Sequence, residues 1–264
     1  MLENFLKLTA WKMTPPAAYG VFHLTFFFGG LAVAVLLAYL LRKTNERQNR
    51  AVLLTVGIFL VVCELYKQLF YYYYIGNHSY QWWIFPFQLC SIPMYFCLIT
   101  PFLKQGRLRQ SLYNFMLAFN LMGAFVAFLE PSGLVHEYWT LTIHAFVWHL
   151  ALIFVGLYLG FSGRAGLNRG GYRQAVTVLV VLSVIALSIN FIFRDISGNT
   201  INMFFIGPAN SSIIVFKDIA ARYGWYVNAP IYLSALCIGG LIFYAPFYLA
   251  GKKRQALCEK SGVR

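Results

Sequence analysis

Charge is what this sequence has least of. Only 11% of its 264 residues are charged, 60% are hydrophobic, and no more than eight are acidic. A chain so poor in charge is too apolar for an ordinary soluble domain. It also offers no disulfide framework. Of its five cysteines, Cys63, Cys90, Cys97 and Cys237 fall within apolar runs and Cys258 lies near the C-terminus. With no pair in an outside loop, no CxxC and no zinc spacing, neither a bridge nor a metal site is expected. No internal repeat is evident, which counts against repeat-built transporter folds. Lys7 and Lys12 precede no small-residue cleavage site, so no signal peptide is expected. The glycine-rich "SGRAGLNRGG" lacks Walker spacing, and the last apolar run holds no lysine for a retinal Schiff base. No cofactor is expected.

What is present is long apolar runs. Runs of about 20 residues suit transmembrane helices, and seven are expected, at roughly 19–42, 51–75, 83–103, 111–130, 139–160, 174–193 and 228–249. They leave no room for a separate soluble domain. The fold class is therefore all-α, a polytopic membrane protein in which residues 1–264 form one integral membrane domain.

The net charge of +13 is distributed by loop. Loop 42–50 holds Arg42, Lys43, Arg47 and Arg50; loop 104–110 holds Lys104, Arg107 and Arg109; loop 161–173 holds Arg164, Arg169 and Arg173; the tail holds Lys252, Lys253, Arg254, Lys260 and Arg264. These fifteen cations, less Glu46 and Glu259, account for the whole +13. On the other side, Lys7, Lys12, Arg194, Lys217 and Arg222 balance Glu3, Glu130, Glu137, Asp195 and Asp218. Cations on alternate loops are the positive-inside pattern, which predicts an outside N-terminus and a cytoplasmic C-terminus. A basic cytoplasmic face suits anionic lipid headgroups, so membrane lipids are the expected partners and nucleic acid is not needed.

Orientation turns position into depth, at about 1.5 Å per helical residue. Cys90 is expected roughly 10 Å below the outer boundary, marked by Trp82, Trp83 and Tyr71–Tyr74. His144 and His149 are expected roughly 8 and 15 Å down, and Glu64, Lys67 and Asn120 roughly 12 to 17 Å down. Asn190 lies nearer the outer end of its span. Polar groups in spans face the bundle interior or a wet cavity, so a shared level on several helices suggests one cavity in the outer half. Pro93, read as interior to a helix, is expected to free the Leu89 carbonyl beside Cys90 and to kink the span; Pro86 is read as beginning that helix.

Each of these residues also has a plainer reading. Cysteines in membrane helices are usually small hydrophobes, and burial makes a thiol inert. His144 and His149 are five apart, about 140° around a helix, so they do not share a narrow face. Glu64 and Lys67, three apart, read as a neutralising pair or as a proton relay. Asn120 and Asn190 read as helix ties, and Gly29–Gly30 and Gly239–Gly240 as close-contact points. The outer segment 194–229 contains "SSIIVFKDIAARYGW", an amphipathic pattern that predicts a helix with Ser211 or Ser212 as its cap, read equally as an interfacial helix over the cavity mouth or as a plain connector. Asn77 and Asn210 stand in glycosylation patterns, which matter only in a eukaryotic secretory pathway.

"FPFQLCSIPMYFCLI" resembles the Leu-Pro-x-x-Leu-Cys-Ser segment of the YwaF family of bacterial integral membrane proteins. "NLMGAFVAFLEPSG", "HAFVWHLALI" and the stretch from Asn190 through "NTINMFFIGPANSS" resemble, in order, that family's Gly-rich span, paired-histidine span and Asn-rich outer segment. The resemblance covers about residues 50 to 249; it departs after Asn202, where Met203 and Phe204 replace the family's Asn-Tyr. It implies a bacterial plasma membrane protein. The YwaF family is in turn similar to the eukaryotic transmembrane protein 164 acyltransferases, which move acyl chains among phospholipids through a membrane cysteine. That likeness implies Cys90 as nucleophile and His149 or His144 as its base. Gln88 or an asparagine is then the expected donor to the oxyanion, and Glu64, Lys67, Asn120 and Asn190 are further candidates to line the substrate site. A proton-coupled transporter using Glu64, Lys67 and the histidines, or a non-enzymatic scaffold or sensor, are the alternatives.

Overall fold

Helix after helix follows from the apolar runs. The computed structural model describes residues 2–260, and of Leu2, Arg169 and 254–260 the backbone alone. The Arg169, Arg254, Cys258, Glu259 and Lys260 side chains and Arg264 thus lie outside what it describes. The helices are α1 (Leu2–Thr9), α2 (Val21–Leu40), α3 (Glu46–Phe70), α4 (Ile92–Ile99), α5 (Arg107–Phe115), α6 (Leu121–Leu129), α7 (Trp139–Phe161), α8 (Arg169–Ile192), α9 (Phe216–Tyr223) and α10 (Trp225–Lys260). No strand occurs among the described residues.

Six helices are long and apolar enough to cross a membrane: Val21–Lys43, Glu46–Ile75, Arg107–Leu129, Trp139–Phe161, Gly170–Ile192 and Trp225–Lys253. Local chemistry sets their starts. Asn45 caps α3 in a reciprocal capping box with Gln48, and the Asn168 side chain accepts from the Gly171 N–H at the start of α8. The span Arg107–Leu129 joins α5 to α6 through a π-turn, Met116–Asn120, and is the central helix: every residue from Ser111 to Met122 is buried. Water does not drive helices together in lipid, so contact rests on close fit at small residues and on hydrogen bonds. A Cβ on Gly30 would come within 2.1 Å of Leu150, and one on Gly240 within 2.7 Å of Phe119. The first closes α2 on α7, the second α10 on the central helix.

The third expected span is different. Residues 83–103 are not one helix. A short 3-10 turn, Trp82–Ile84, leads through an irregular stretch to α4, which begins only at Ile92 and ends in the turn Thr100–Phe102. Pro86 therefore starts no helix. Pro93 sits in the first turn of α4, where its missing N–H costs nothing, so it neither kinks a helix nor frees the Leu89 carbonyl. The stretch "FPFQLCS" runs as irregular backbone, which membranes tolerate only where protein covers it.

The connection between α8 and α9 supplies part of that cover, through Gln88 and Phe87. Residues 201–209 form a loop that is buried at nearly every position. Asn190, Gln88 and Asn202 hold it, as described below. Phe204 and Phe205 both adopt positive φ, 58° and 56°, which a bulky residue takes up only when its surroundings dictate it. The expected amphipathic helix exists as α9, but neither Ser211 nor Ser212 caps it; its preceding residue is Val215, with no side-chain cap. No α9 residue is buried, in keeping with an interfacial helix. On the other flank, α1 packs by Leu6 against Phe70, Tyr71, Ile84, Tyr138 and Leu141. The Thr9 and Tyr66 hydroxyls bond at 2.7 Å, and Thr140 Oγ1 donates to the Thr9 carbonyl at 3.0 Å.

Candidate functional site

Cys90 occupies a turn closed by the Ser91 N–H donating to the Gln88 carbonyl at 2.8 Å. Ser91 is the N-cap of α4, so the thiol stands one residue ahead of a helix start. The turn is pinned from α7: Trp148 Nε1 donates to the Cys90 carbonyl at 3.2 Å. Cys90 is only partly buried, whereas Cys97, one helical repeat on, is fully buried. The charges that act on the Cys90 thiol are Lys67 and Glu64.

Those two form the pair that their spacing predicted. Lys67 Nζ lies 2.8 Å from Glu64 Oε2, and Gln68 Nε2 donates to Glu64 Oε1 at 2.6 Å and to the Ile84 carbonyl at 2.9 Å. Gln68 thus ties the pair to the irregular stretch that carries Cys90. Lys67 also lies 6.0 Å from the Trp148 ring centre, on whose other contacts the site depends. Glu64 is 5% exposed, while the Lys67 side chain keeps 20% of its surface open.

The two histidines part company. His144 stacks on Trp148, ring centres 5.6 Å apart, and its Nε2 donates to the Cys63 carbonyl of α3 at 3.1 Å in the tautomer that this acceptor requires. It belongs to the α3–α7 seam. His149 lies among the buried Ala145, Phe146 and Leu152, edge-on to Phe128 at 6.3 Å. It is partly buried, as Cys90 is. Its Nδ1 donates to the Ala145 carbonyl at 2.7 Å, which leaves Nε2 as the free basic nitrogen.

Three other predicted residues are engaged elsewhere. Gln88 is a clamp: its Nε2 donates to the Asn202 carbonyl and its Oε1 accepts from the Phe204 N–H, both at 2.9 Å. Asn190 does the same to Met203, accepting from its N–H at 2.6 Å and donating to its carbonyl at 3.0 Å. Both are structural ties to the buried loop. Asn202 closes that loop from within, accepting from Gly207 N–H at 2.8 Å and donating to the Ala209 carbonyl at 2.7 Å. Asn120 donates to the Leu152 carbonyl at 3.0 Å, three residues beyond His149, while its Oδ1 is buried and unpartnered. Sequence reading missed Trp148 and Gln68. The first stands four residues after His144 and the second four after Glu64, the spacing of neighbours on one helical face.

No group of three or more metal-ligating side chains occurs among the described residues. Outside the spans, His136 accompanies the site in the loop before α7. Burial holds its imidazole below its ordinary pKa, against a partly restoring hydrogen bond at Gly133 and with a smaller push from Lys67.

Cys90, Lys67, Glu64, Trp148 and His144 thus meet where α3, the start of α4 and α7 come together, beside the buried loop that Gln88 clamps, while His149 meets Phe128 of α6. Against known proteins, the model of the TMEM164 family matches residues 18–249, most of the chain. Neither the curated proteins nor the solved structures give a match.

Proposed function

The chain belongs to the TMEM164 family of membrane proteins, and from that premise we propose that it is a membrane-embedded acyltransferase working through a thioester on Cys90. The observation that carries the reading is the setting of Cys90. It is a partly accessible thiol at the start of α4, with the Glu64–Lys67 pair as its charged neighbour and a histidine-bearing helix packed on its backbone.

In this reading His149 Nε2 takes the thiol proton. The Cys90 thiolate attacks the ester carbonyl of a phospholipid, and the C–O bond to the glycerol oxygen breaks. His149 returns the proton to that oxygen, so a lysophospholipid leaves and the acyl chain stays on sulfur. A second lysophospholipid hydroxyl then gives its proton to His149 as its oxygen attacks the thioester. Cys90 leaves as thiolate and recovers its proton. Lys67 favours the thiolate and Glu64 opposes it, while the bond between the two keeps the ammonium in place. Gln88 and Asn190 act indirectly, by fixing the loop that excludes water. The Asn120 side chain, bonded to the Leu152 carbonyl of α7 and with its own oxygen free, is a polar group for orienting substrate. Membrane lipids are the substrates. In the direction set by the basic loops, the site draws on the outer leaflet, and the bacterial plasma membrane is its setting.

The direct test is capture of the intermediate. Purified protein incubated with phospholipid carrying a radiolabelled acyl chain should retain label that hydroxylamine releases, and Cys90→Ser should retain none. Label held equally by Cys90→Ser would remove Cys90 from the reaction.

A further inference from the structure

At the far end of α4 from Cys90 lies a cavity of about 440 Å³. It opens between the start of α3, the loop before α5, the first turns of α5 and the turn after α7. Its walls include Arg107, Arg109, Arg164, Gln174 and a single carboxylate, Glu46. Two of the arginines are fixed in place. Arg109 is buried, donates from Nε to the Tyr113 hydroxyl at 2.9 Å and pairs through Nη2 with Glu46. Arg164 donates to the carbonyls of Thr44 and Asn45, and its own carbonyl accepts from Gln110 Nε2 at 2.7 Å. Arg107 is exposed at the rim and has no ion pair among the described residues. The first turn of α5 has no side-chain cap.

Three guanidinium groups around one carboxylate leave an excess of two positive charges in a concave wall. Held together without an anion they repel one another. Guanidinium forks match phosphate oxygens, and an uncapped helix start adds N–H donors of the same polarity. The volume lies within the usual range for small-ligand sites and is far too small for a nucleic acid duplex. We propose that this cavity binds a phosphate group, carried either by an anionic phospholipid headgroup or by a soluble phosphate compound. The site stands apart from Cys90 and does not depend on the acyltransferase reading. Arg109 and Arg164 form its rigid back, and Arg107 closes over the ligand from the rim.

The test uses the full-length chain in nanodiscs of phosphatidylcholine. Thermal melting is followed with a minor fraction of phosphatidylglycerol in the bilayer, or with inorganic phosphate at matched ionic strength. A ligand that binds only the folded state raises the melting temperature by mass action. Wild type should melt several degrees higher with at least one probe. A shift with the lipid alone identifies a headgroup site, and a shift with inorganic phosphate identifies a soluble ligand. Arg107→Gln, an exposed position, should melt as wild type in phosphatidylcholine alone and lose most of the shift. Lys43→Gln, a basic residue outside the cavity, should keep it. No shift in wild type with either probe would overturn the proposal. So would equal loss in Arg107→Gln and Lys43→Gln, which would mark diffuse surface charge.

Discussion

A thiol and a hydroxyl differ little in size, so Cys90→Ser separates packing from chemistry. It should leave melting within about a kilocalorie of wild type, because Cys90 is only partly buried and its carbonyl, not its sulfur, holds Trp148. Cys97→Ser is the contrast: it puts a hydroxyl into a fully buried apolar position and should cost more stability without touching turnover. For the base, His149→Gln should remove activity, while His144→Gln, lost from the α3–α7 seam, should be milder in activity assays. The reverse order would move the base to His144. The Glu64–Lys67 pair has its own signature. Glu64→Gln strands an ammonium 2.8 Å from its lost partner and should cost about 3–5 kcal/mol, and adding Lys67→Met should restore much of it. A Glu64→Gln protein that is stable but inactive would speak for a proton relay. His136 adds a pH term. Its folded pKa is below the usual 6.5, so its contribution is present above that value and is lost as pH falls through it. Melting should therefore drop on acidification, and His136→Gln should lessen the drop.

Among the elements, the six long helices were legible from run length alone, because a bilayer demands about 20 apolar residues. The stretch 83–103 satisfied the same count and still is not one helix. Hydropathy measures transfer into lipid, whereas Pro86, Gln88 and the late start at Ile92 concern backbone hydrogen bonds, which protein rather than lipid supplies here. The buried loop 201–209 was less legible again. It has no periodicity, and what fixes it comes from Gln88 and Asn190, distant in sequence. The site followed the same rule. Glu64 with Lys67 was readable as a local pair, and Asn120 and Asn190 as ties, but the part played by Trp148 depends on a contact across the fold. The loop clamp makes a prediction. Gln88→Leu leaves the Asn202 carbonyl and Phe204 N–H without their partners, at a cost of about 1–3 kcal/mol. It should also open residues 194–215 to limited proteolysis, and a loop as protease-resistant as wild type would show that Gln88 is dispensable to it.

For the whole molecule, polarity is separated along the bundle: Cys90 and its neighbours toward one end, the arginine-lined cavity toward the other. The loop charges predict which end faces out. In sealed cells, a cysteine at position 78 should react with an impermeant reagent and one at position 106 should not; the opposite pattern would invert the molecule in the membrane. The function proposed for this fold stands on one sulfur atom, and the most direct measurement is phospholipid acyl exchange by purified wild type and Cys90→Ser in matched proteoliposomes. Exchange by wild type and none by an equally stable Cys90→Ser is the predicted result; equal exchange by the two proteins would contradict it.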